Sequence, residues 1–509
     1  MGCDIVDINP GAGIWSSKIH DFLKPRTHIL LEPDTVLYEP LLKPLLDAPD
    51  STYTLIPKSG IVWGHLEKVM SREYLPFQEP FDKEDSRLEQ PNNTLLLIAN
   101  LGNYPKKAYA GFSSLAALVL YQFLSAVQTH SLIQRYGLVR MLIWVPDDER
   151  NAVLPRSISW RRKSSIDASI SYENIVEVAS STRALRNSPR ERHIEADVAR
   201  KVFRKMEDAG LKIPPGRESL LLEELSGEER DHNFKTELSN SKYGKELAKL
   251  AVTVDGSAPA MSPATSKRLG WLKTMQRFLE KKAIRYTTLT DDYDAIMELQ
   301  KAIYNSSDET DIASLKEELG KRTNNWTEIV SDLTDEYQTT IQQMIDNRLA
   351  VSTNPPTLRN DRREYEPLRV HPADFYPAAE MCLLDFQPMP LWPVLRENLQ
   401  ENLEIYSFIV GHLFIIPTQS IRRGLNALAP GAFEWLIAEC PSITNPNKGG
   451  SLDLDIMTVR RLTEEMIKEM VEAWVRWPFK PTRFELMSRS GAGVFDPDEL
   501  ETDGSDTAD

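Results

Sequence analysis

Apolar and polar residues follow one another at the start of the chain in the pattern of a short strand that ends in a turn. Residues 3–8 are rich in β-branched side chains, the next five residues contain two glycines, and an amphipathic segment follows. This order predicts a strand, a tight loop and a helix. A second apolar strand at residues 28–31 ends at Glu32. The N-terminal region therefore predicts a β-α-β unit with a ligand-binding loop after its first strand.

Segments with strand-like and helix-like patterns continue to alternate up to about residue 165. Residues 53–56, 94–101 and 139–145 are predicted strands, and residues 35–46 and 112–129 are predicted helices. The run at 94–101 is almost entirely apolar, as expected for a central strand that is buried on both faces. Strands that alternate with helices predict a parallel sheet with helices on both faces.

Charged segments with a period near 3.6 dominate the chain from about residue 170 to residue 365. This composition predicts a large helical insertion whose charge runs are solvated helix faces. The predicted helices are 194–209, 298–304, 311–319 and 326–349. Residues 184–192 and 253–266 are predicted to be disordered joints.

Two apolar segments after the insertion, at residues 381–386 and 405–415, have the pattern of strands. We expect them to form a hairpin that closes the sheet, so that the core continues across the insertion. A small helical domain and an acidic tail, which is expected to be disordered, follow. The predicted organisation is a first part of the core, the insertion, the closing strands, the C-terminal helical domain and the tail, at 1–165, 166–370, 371–417, 418–486 and 487–509.

The composition limits the kinds of protein that the chain can be. It has 509 residues, a net charge of −15 and three cysteines without CxxC spacing, so neither a disulfide framework nor a structural metal is predicted. A role with nucleic acid would need a local basic surface. We recognise no apolar run that approaches the length of roughly 20 residues needed to span a membrane. Because a strand begins almost at Met1, we expect that a targeting segment is absent or cryptic, or that a first exon is missing.

The loop after the first strand is the main candidate for a ligand site. Gly11 and Gly13 stand where a backbone must take a positive φ or approach a ligand, and Glu32 stands where such folds bind ribose hydroxyls. A GxGxxG dinucleotide site is less favoured because the third glycine is missing. A loop for S-adenosylmethionine (SAM) fits better, although no acidic residue follows the third strand at 57–60. Glycines that only allow helix and strand to pack closely remain the simpler alternative.

A cluster of cations around an aromatic residue is the candidate nucleic-acid site. Guanidinium groups beside an indole suit phosphate contacts with stacking on a base, but a solvated arginine-rich loop explains the same pattern equally well. The residues proposed for this contact are Arg156, Trp160, Arg161, Arg162 and Lys163.

Together these segments resemble the ribosomal RNA adenine dimethyltransferase family, and most closely its fungal mitochondrial branch, the transcription factor B proteins that assist a single-subunit RNA polymerase. The resemblance covers roughly 1–165 and 375–485 and leaves the insertion outside. The segments that carry it are 7–13, 31–32, 99–100, 135–146 (containing RYGLVRMLIWVP) and 477–481 (WPFKP).

The resemblance implies a class I SAM-dependent methyltransferase sheet, which is a Rossmann-like α/β fold, with a small C-terminal helical domain. It implies that Asn9, Gly11, Gly13 and Glu32 hold SAM and that Asn100 accepts the amino group of a flipped adenine. In the family a proline and then an aromatic residue follow the Asn-Leu pair, whereas here Gly102 and Asn103 follow and Tyr104-Pro105 comes later. This difference favours a protein whose cofactor cradle is vestigial.

Three functions follow as hypotheses from the resemblance. The first is a mitochondrial transcription initiation factor that helps a single-subunit mitochondrial RNA polymerase to recognise and melt promoter DNA. The second is an active SAM-dependent enzyme, without a metal, that dimethylates adenines in the small-subunit ribosomal RNA of mitochondria, with Asn100 at the target amine. The third is a helical scaffold for another mitochondrial assembly, based on the insertion. All three imply a mitochondrial location and no membrane partner.

Overall fold

An eight-stranded mixed sheet forms the centre of the first of two compact units in the computed structural model. The described residues are 2–102, 104, 107–109, 111–181, 190–219, 246, 247, 249, 263–482 and 485. The first unit spans Met1–Pro390 and the second spans Leu391–Asp509. The strands are β1 Asp4–Ile8, β2 Thr27–Leu31, β3 Tyr53–Ile56, β4 Pro91–Asn100, β5 Leu138–Pro146, β6 Tyr172–Ser181, β7 Leu368–Val370 and β8 Met381–Pro388.

The first five strands form the parallel half of the sheet, as the sequence predicts. The strand order is β3-β2-β1-β4-β5-β8-β6-β7. Each neighbouring pair from β3 to β5 is parallel. Strand β8 is antiparallel to both β5 and β6, and β7 is parallel to β6. The molecule is therefore an α/β protein with a Rossmann-like sheet and a mixed edge.

The predicted closing hairpin is wrong in one of its strands. Residues 405–415 belong mostly to a helix, Leu399–Leu413. Its buried side chains include Ile405, Ile409 and Leu413, which recur every four residues and give one apolar helix face. A buried strand and a buried helix can both produce a long apolar run. The 15 residues of this element are typical of a helix rather than of a strand.

The strands beside β8 come from an unexpected part of the chain. Strands β6 and β7 lie inside 166–370, the interval assigned from the sequence to the helical insertion. Arg140 on β5 donates both ends of its guanidinium to the Asp385 carboxylate on β8, at 2.7 and 2.5 Å, which ties the two halves of the sheet together.

The helices of the first unit lie between the strands along the chain. They are α1 Ile14–Leu23, α2 Thr35–Leu46, α3 Trp63–Val69, α4 Leu115–Thr129, α5 Asp147–Arg150, α6 Lys163–Ser171, α7 Arg192–Asp208, α8 Pro263–Asn305, α9 Glu309–Ser331 and α10 Asp335–Ser352. The core beneath them contains Val6, Leu97, Phe123, Ile143 and Phe386, all fully buried.

One segment of the first unit, Leu115–Tyr136, is long and apolar enough to cross a membrane by length and composition. From the sequence, no membrane-spanning segment is predicted, so the structure differs from the prediction at this helix. Its side chains Val119, Phe123 and Val127 lie in the core under the sheet, and this packing accounts for their apolar character.

The segments predicted to be helical between residues 190 and 365 are helical, but their helices have different bounds. Helix α8 has 43 residues and begins at Pro263, inside the predicted joint 253–266. Proline is well suited to the first turn of a helix, where its missing N–H is not needed. The predicted helix 326–349 is broken between α9 and α10. Residues 184–189 and 253–262 of the predicted joints lie outside the described residues.

The second unit is helical over its described part. Its helices are α11 Pro393–Glu397, α12 Leu399–Leu413, α13 Ile421–Leu428, α14 Ala432–Glu439 and α15 Glu464–Arg476. Trp474 is fully buried and contacts Trp477 and Phe408, with ring centroids 5.2 and 5.7 Å apart. The predicted acidic tail, 487–509, lies outside the described residues.

Candidate functional site

The carboxyl ends of β1, β2 and β4 bring together most of the residues predicted to hold a cofactor. The carboxylate of Glu32 accepts hydrogen bonds from the backbone N–H of Gly11 and of Asp34, each at 2.9 Å. Glu32 is only 2% exposed. Burial raises the pKa of the Glu32 carboxyl, and the two backbone hydrogen bonds oppose that shift. Glu32 thus holds the glycine loop closed against the end of β2.

Asn9 links the loop after β1 to the loop after β4. Its backbone has a φ of 56°, a left-handed conformation that asparagine tolerates better than most residues. Its side-chain amide donates to the carbonyl oxygen of Asn100 at 3.0 Å and to the hydroxyl of Tyr104 at 2.8 Å. The side chain of Asn100 in turn accepts from the Gly102 N–H at 3.0 Å. The amide groups at this sheet edge are therefore bonded to the protein itself.

Tyr104 folds back from the β4 loop onto Asn9. Its ring packs against the core under the sheet, and burial raises the pKa of its hydroxyl. From the sequence, no aromatic residue is expected at the position next to Asn100. In the structure, the ring of Tyr104, two residues beyond Gly102, nevertheless lies at this site. Asn103 and Pro105 lie outside the described residues.

The two glycines of the loop have different roles. Both have positive φ, 58° for Gly11 and 71° for Gly13. A Cβ at Gly13 would lie 2.7 Å from a methyl group of Leu42 on α2, so glycine is needed there for close packing of α1 and α2. The nearest group to a Cβ at Gly11 is the Tyr38 ring, 3.8 Å away. The simpler alternative, glycines for packing, therefore accounts for Gly13.

The exposed fractions of the side chains in this cradle bear on whether SAM fits it. Asn9 is 5% exposed and Glu32 is 2% exposed, and the Asn9 amide nitrogen and both Glu32 carboxylate oxygens form hydrogen bonds within the protein. The residue types match those that would hold a nucleoside. Gly11 and Asn100 at the same sheet edge are partly exposed.

Three aromatic residues at the same sheet edge are missing from the sequence-based predictions. Trp144 at the end of β5 contacts Trp15 on α1 and Phe375, in edge-to-face geometry with ring centroids 5.8 and 5.1 Å apart. The tryptophan near the end of a buried strand could have indicated this aromatic cluster from the sequence, because the carboxyl ends of strands in such sheets face the ligand side.

The predicted nucleic-acid cluster must be corrected, because two of its arginines are buried. Arg156 and Arg161 are each 3% exposed. Arg156 donates to Glu177 on β6 at 2.6 Å and to the Ser180 hydroxyl at 3.1 Å. The Glu177 carboxylate holds the pKa of Arg156 above its usual value despite burial. These guanidinium groups cannot contact a phosphate in this conformation.

The remaining members of that cluster lie nearer the surface. Lys163 pairs with Asp167 one turn later on α6, at 2.7 Å. The Arg162 side chain is exposed and donates to the Ser159 carbonyl at 3.0 Å. Trp160 is partly exposed. The structure therefore does not assemble the five predicted residues into one basic surface.

A possible cation site that the sequence does not predict lies beside the buried arginines. Ligand atoms of Asp147, Glu177 and Cys382 lie within 4.8 Å of one another, and all three residues are buried. Arg150 lies 3.5 Å from Glu177, and Arg156 pairs with the same carboxylate. Burial also raises the pKa of the Cys382 thiol well above its ordinary value, which keeps it protonated. Two guanidinium groups and a neutral thiol favour a structural ion-pair network over a bound cation.

A Rossmann-like sheet with a polar loop at its carboxyl edge places the chain in a broad class of α/β proteins. No known family profile matches the sequence. Part of it is similar to the protein named Mitochondrial transcription factor 1 of Saccharomyces paradoxus, with 23% identity over 165 residues, which is 32% of this chain and 42% of that protein. The Saccharomyces cerevisiae protein of the same name is 23% identical over 152 residues, 30% of this chain and 39% of that protein.

The matched segment covers about two fifths of each yeast protein.

Proposed function

We propose that this chain is a mitochondrial transcription initiation factor that helps a single-subunit mitochondrial RNA polymerase to recognise and open promoter DNA. The observation that carries the proposal is the similarity to the two yeast proteins named Mitochondrial transcription factor 1. In this proposal the protein acts in mitochondria, with the polymerase and promoter DNA as its partners, and the fold is that of the ribosomal RNA adenine dimethyltransferases.

The geometry of the sheet edge supports a role without catalysis. The Asn9 amide, the Glu32 carboxylate and the Asn100 side chain all bond to the protein's own groups. Buried polar groups that are already paired gain little from a ligand, since each new contact must replace an existing hydrogen bond. A cradle of this kind serves as a stable end of the sheet.

A run-off transcription assay with the cognate polymerase tests this proposal. On a linear duplex promoter we expect transcripts that depend on this protein, and on the same promoter with an unpaired bubble at the start site we expect that dependence to disappear. A template with a scrambled promoter is the control. Absence of stimulation on the duplex promoter contradicts the proposal, and equal stimulation on both promoter templates contradicts the role in opening.

A second candidate is a SAM-dependent ribosomal RNA adenine dimethyltransferase. The observation in its favour is Tyr104, whose ring folds back to Asn9 beside Asn100. In this alternative Asn9, Gly11, Gly13 and Glu32 hold SAM, which supplies the methyl group. Asn100 accepts the target amino group, and Tyr104 stacks on the base.

Calorimetry with SAM and a methyl-transfer assay on the mitochondrial small-subunit RNA separate the two candidates. If the protein is an initiation factor, we expect no transfer from the wild type or from Tyr104→Phe, which keeps the ring. Transfer by the wild type that Asn100→Ala abolishes would establish the enzyme. Binding of SAM that Glu32→Gln weakens, without transfer, would identify a relic site.

A further inference from the structure

The long helix α8 has two halves of opposite charge. Residues 263–285 contain seven lysines and arginines and one glutamate, whereas residues 286–305 contain four acidic residues and one lysine. The chain as a whole has a net charge of −15. The first half of α8 is therefore a concentrated basic surface on an acidic protein, as a nucleic-acid contact would require.

Most of these cations are exposed and unpaired within the described part of the chain. Two of the seven have partners: Arg268 pairs with Glu246, and Lys282 pairs with Glu336, each at 2.8 Å. The other five are exposed and form no ion pair with any residue that the structure describes: Lys267, Lys273, Arg277, Lys281 and Arg285. Four of them, from Lys273 to Arg285, recur every four residues and span about 18 Å along the helix.

Two aromatic rings border these cations on the exposed side of the helix. Around the helix axis the rings are nearest to Lys267, Lys281 and Arg285, whereas Lys273 lies about 160° from Trp271. Trp271 is 42% exposed and Phe278 is 54% exposed, and their spacing of seven residues places them on one stripe. The opposite side of the helix is buried at Leu272 and Ala283, which are 0% and 2% exposed. Cations and aromatic rings therefore share the solvent face, while the apolar face is used within the protein.

We propose that residues 267–285 of α8, the basic half of the helix, bind single-stranded nucleic acid. The cations contact successive phosphates, and Trp271 and Phe278 stack on unpaired bases. A duplex would offer phosphates but no exposed base faces to the rings. A membrane-surface helix would need its apolar face free to enter the lipid, and here that face is covered. The proposal does not depend on the polymerase role, because it concerns binding by this chain alone.

Fluorescence anisotropy with the full chain and a labelled oligothymidylate of about 20 nucleotides tests the proposal. Each phosphate contact to a single strand contributes about 0.7 to the slope of log affinity against log salt. The triple variant Lys273→Gln, Arg277→Gln, Lys281→Gln should therefore lower the slope by about 2 and weaken binding roughly 100-fold near 0.1 M salt.

The variant Trp271→Ala, Phe278→Ala separates stacking from charge. We expect it to weaken binding at least tenfold while the salt slope is unchanged, because stacking releases no counterions. The control removes three exposed cations from α9, of which Lys321 and Arg322 are ion-paired, by Lys316→Gln, Lys321→Gln and Arg322→Gln. It should change the affinity less than twofold. Circular dichroism and melting curves verify that each variant is folded.

Equal loss in the α9 control would overturn the proposal, because net charge alone would then explain binding. A matched duplex bound as tightly as the single strand, with no effect of the aromatic variant, would also overturn it. Binding to phosphatidylserine vesicles instead of the oligonucleotide would assign the surface to a membrane and reject the proposal.

Discussion

Two basic regions of this protein look alike as sequence and differ completely as structure. The segment 150–163 and the basic half of α8 both contain clustered lysines and arginines with a tryptophan among them. Arg156 in the first is 3% exposed and bonded to Glu177. Arg277 in the second is exposed, with no ion pair in the part of the chain that the structure describes. The buried arginine in the first region stabilises the fold, and the exposed arginine in the second is accessible to a ligand.

The difference arises from what each segment packs against. Strand β6 carries Glu177 into the interior beside the segment 150–163, where it neutralises Arg150 and Arg156 away from water. A buried charge without its partner is strongly destabilising, which makes such pairs obligatory once they form. On α8 the buried stripe contains Leu272 and Ala283, and the cations remain in water. A cluster of arginines therefore indicates function only when its surroundings leave it solvated.

The largest expected effect comes from breaking the buried pair. Arg156→Ala leaves Glu177 with Arg150, and we expect a loss of about 3–5 kcal/mol in the free energy of unfolding, or failure to fold. Thermal or urea unfolding measures it. The variant Arg156→Lys is the control, since it keeps a positive charge beside Glu177 and should lose less stability than Arg156→Ala. A loss below about 1 kcal/mol in Arg156→Ala would refute a structural role for this arginine.

A smaller effect concerns the pH dependence of the buried region. Burial raises the pKa of Glu191, at the start of α7, to about 7, with the Asn347 amide and nearby arginines opposing the shift. The folded protein therefore keeps a proton that the unfolded chain releases near the ordinary pKa of about 4.5. This contribution to stability is fully present below that value and is lost as the pH rises through 7.

Glu191→Gln should remove this dependence. We expect the melting temperature of the wild type to fall by a few degrees more than that of the variant between about pH 5 and pH 8. Differential scanning fluorimetry across this range measures both curves. Parallel curves for the two proteins would show that Glu191 is ionised in the folded state throughout.

The smallest effect on the free energy of unfolding is expected for an exposed arginine of α8. Arg277→Ala should change the free energy of unfolding by less than about 0.5 kcal/mol, because an exposed residue without a buried contact contributes little. The same melting assay measures it, with Arg156→Ala as the opposite reference. A loss of 2 kcal/mol or more would mean that the basic half of α8 packs against another part of the chain, and would weaken its assignment as a ligand surface.

Local pattern alone determined the parallel half of the sheet. Residues 4–8, 28–31 and 94–100 read as strands because their apolar residues and the glycine or polar residues after them are visible within a few positions. The grouping of Asn9, Gly11 and Glu32 was predictable for the same reason, since the carboxyl ends of adjacent parallel strands meet at one edge. The helical character of the insertion followed from its composition.

Contacts between distant parts of the chain decided the rest. Strand β6 pairs with β8 across about 200 residues, and this pairing is not visible in a short window of sequence. The bond between Asn9 and Tyr104 and the burial of Arg156 also depend on partners far along the chain. Sequence specifies which groups can be charged or apolar, but only the packed structure fixes which of them lose water and which keep it.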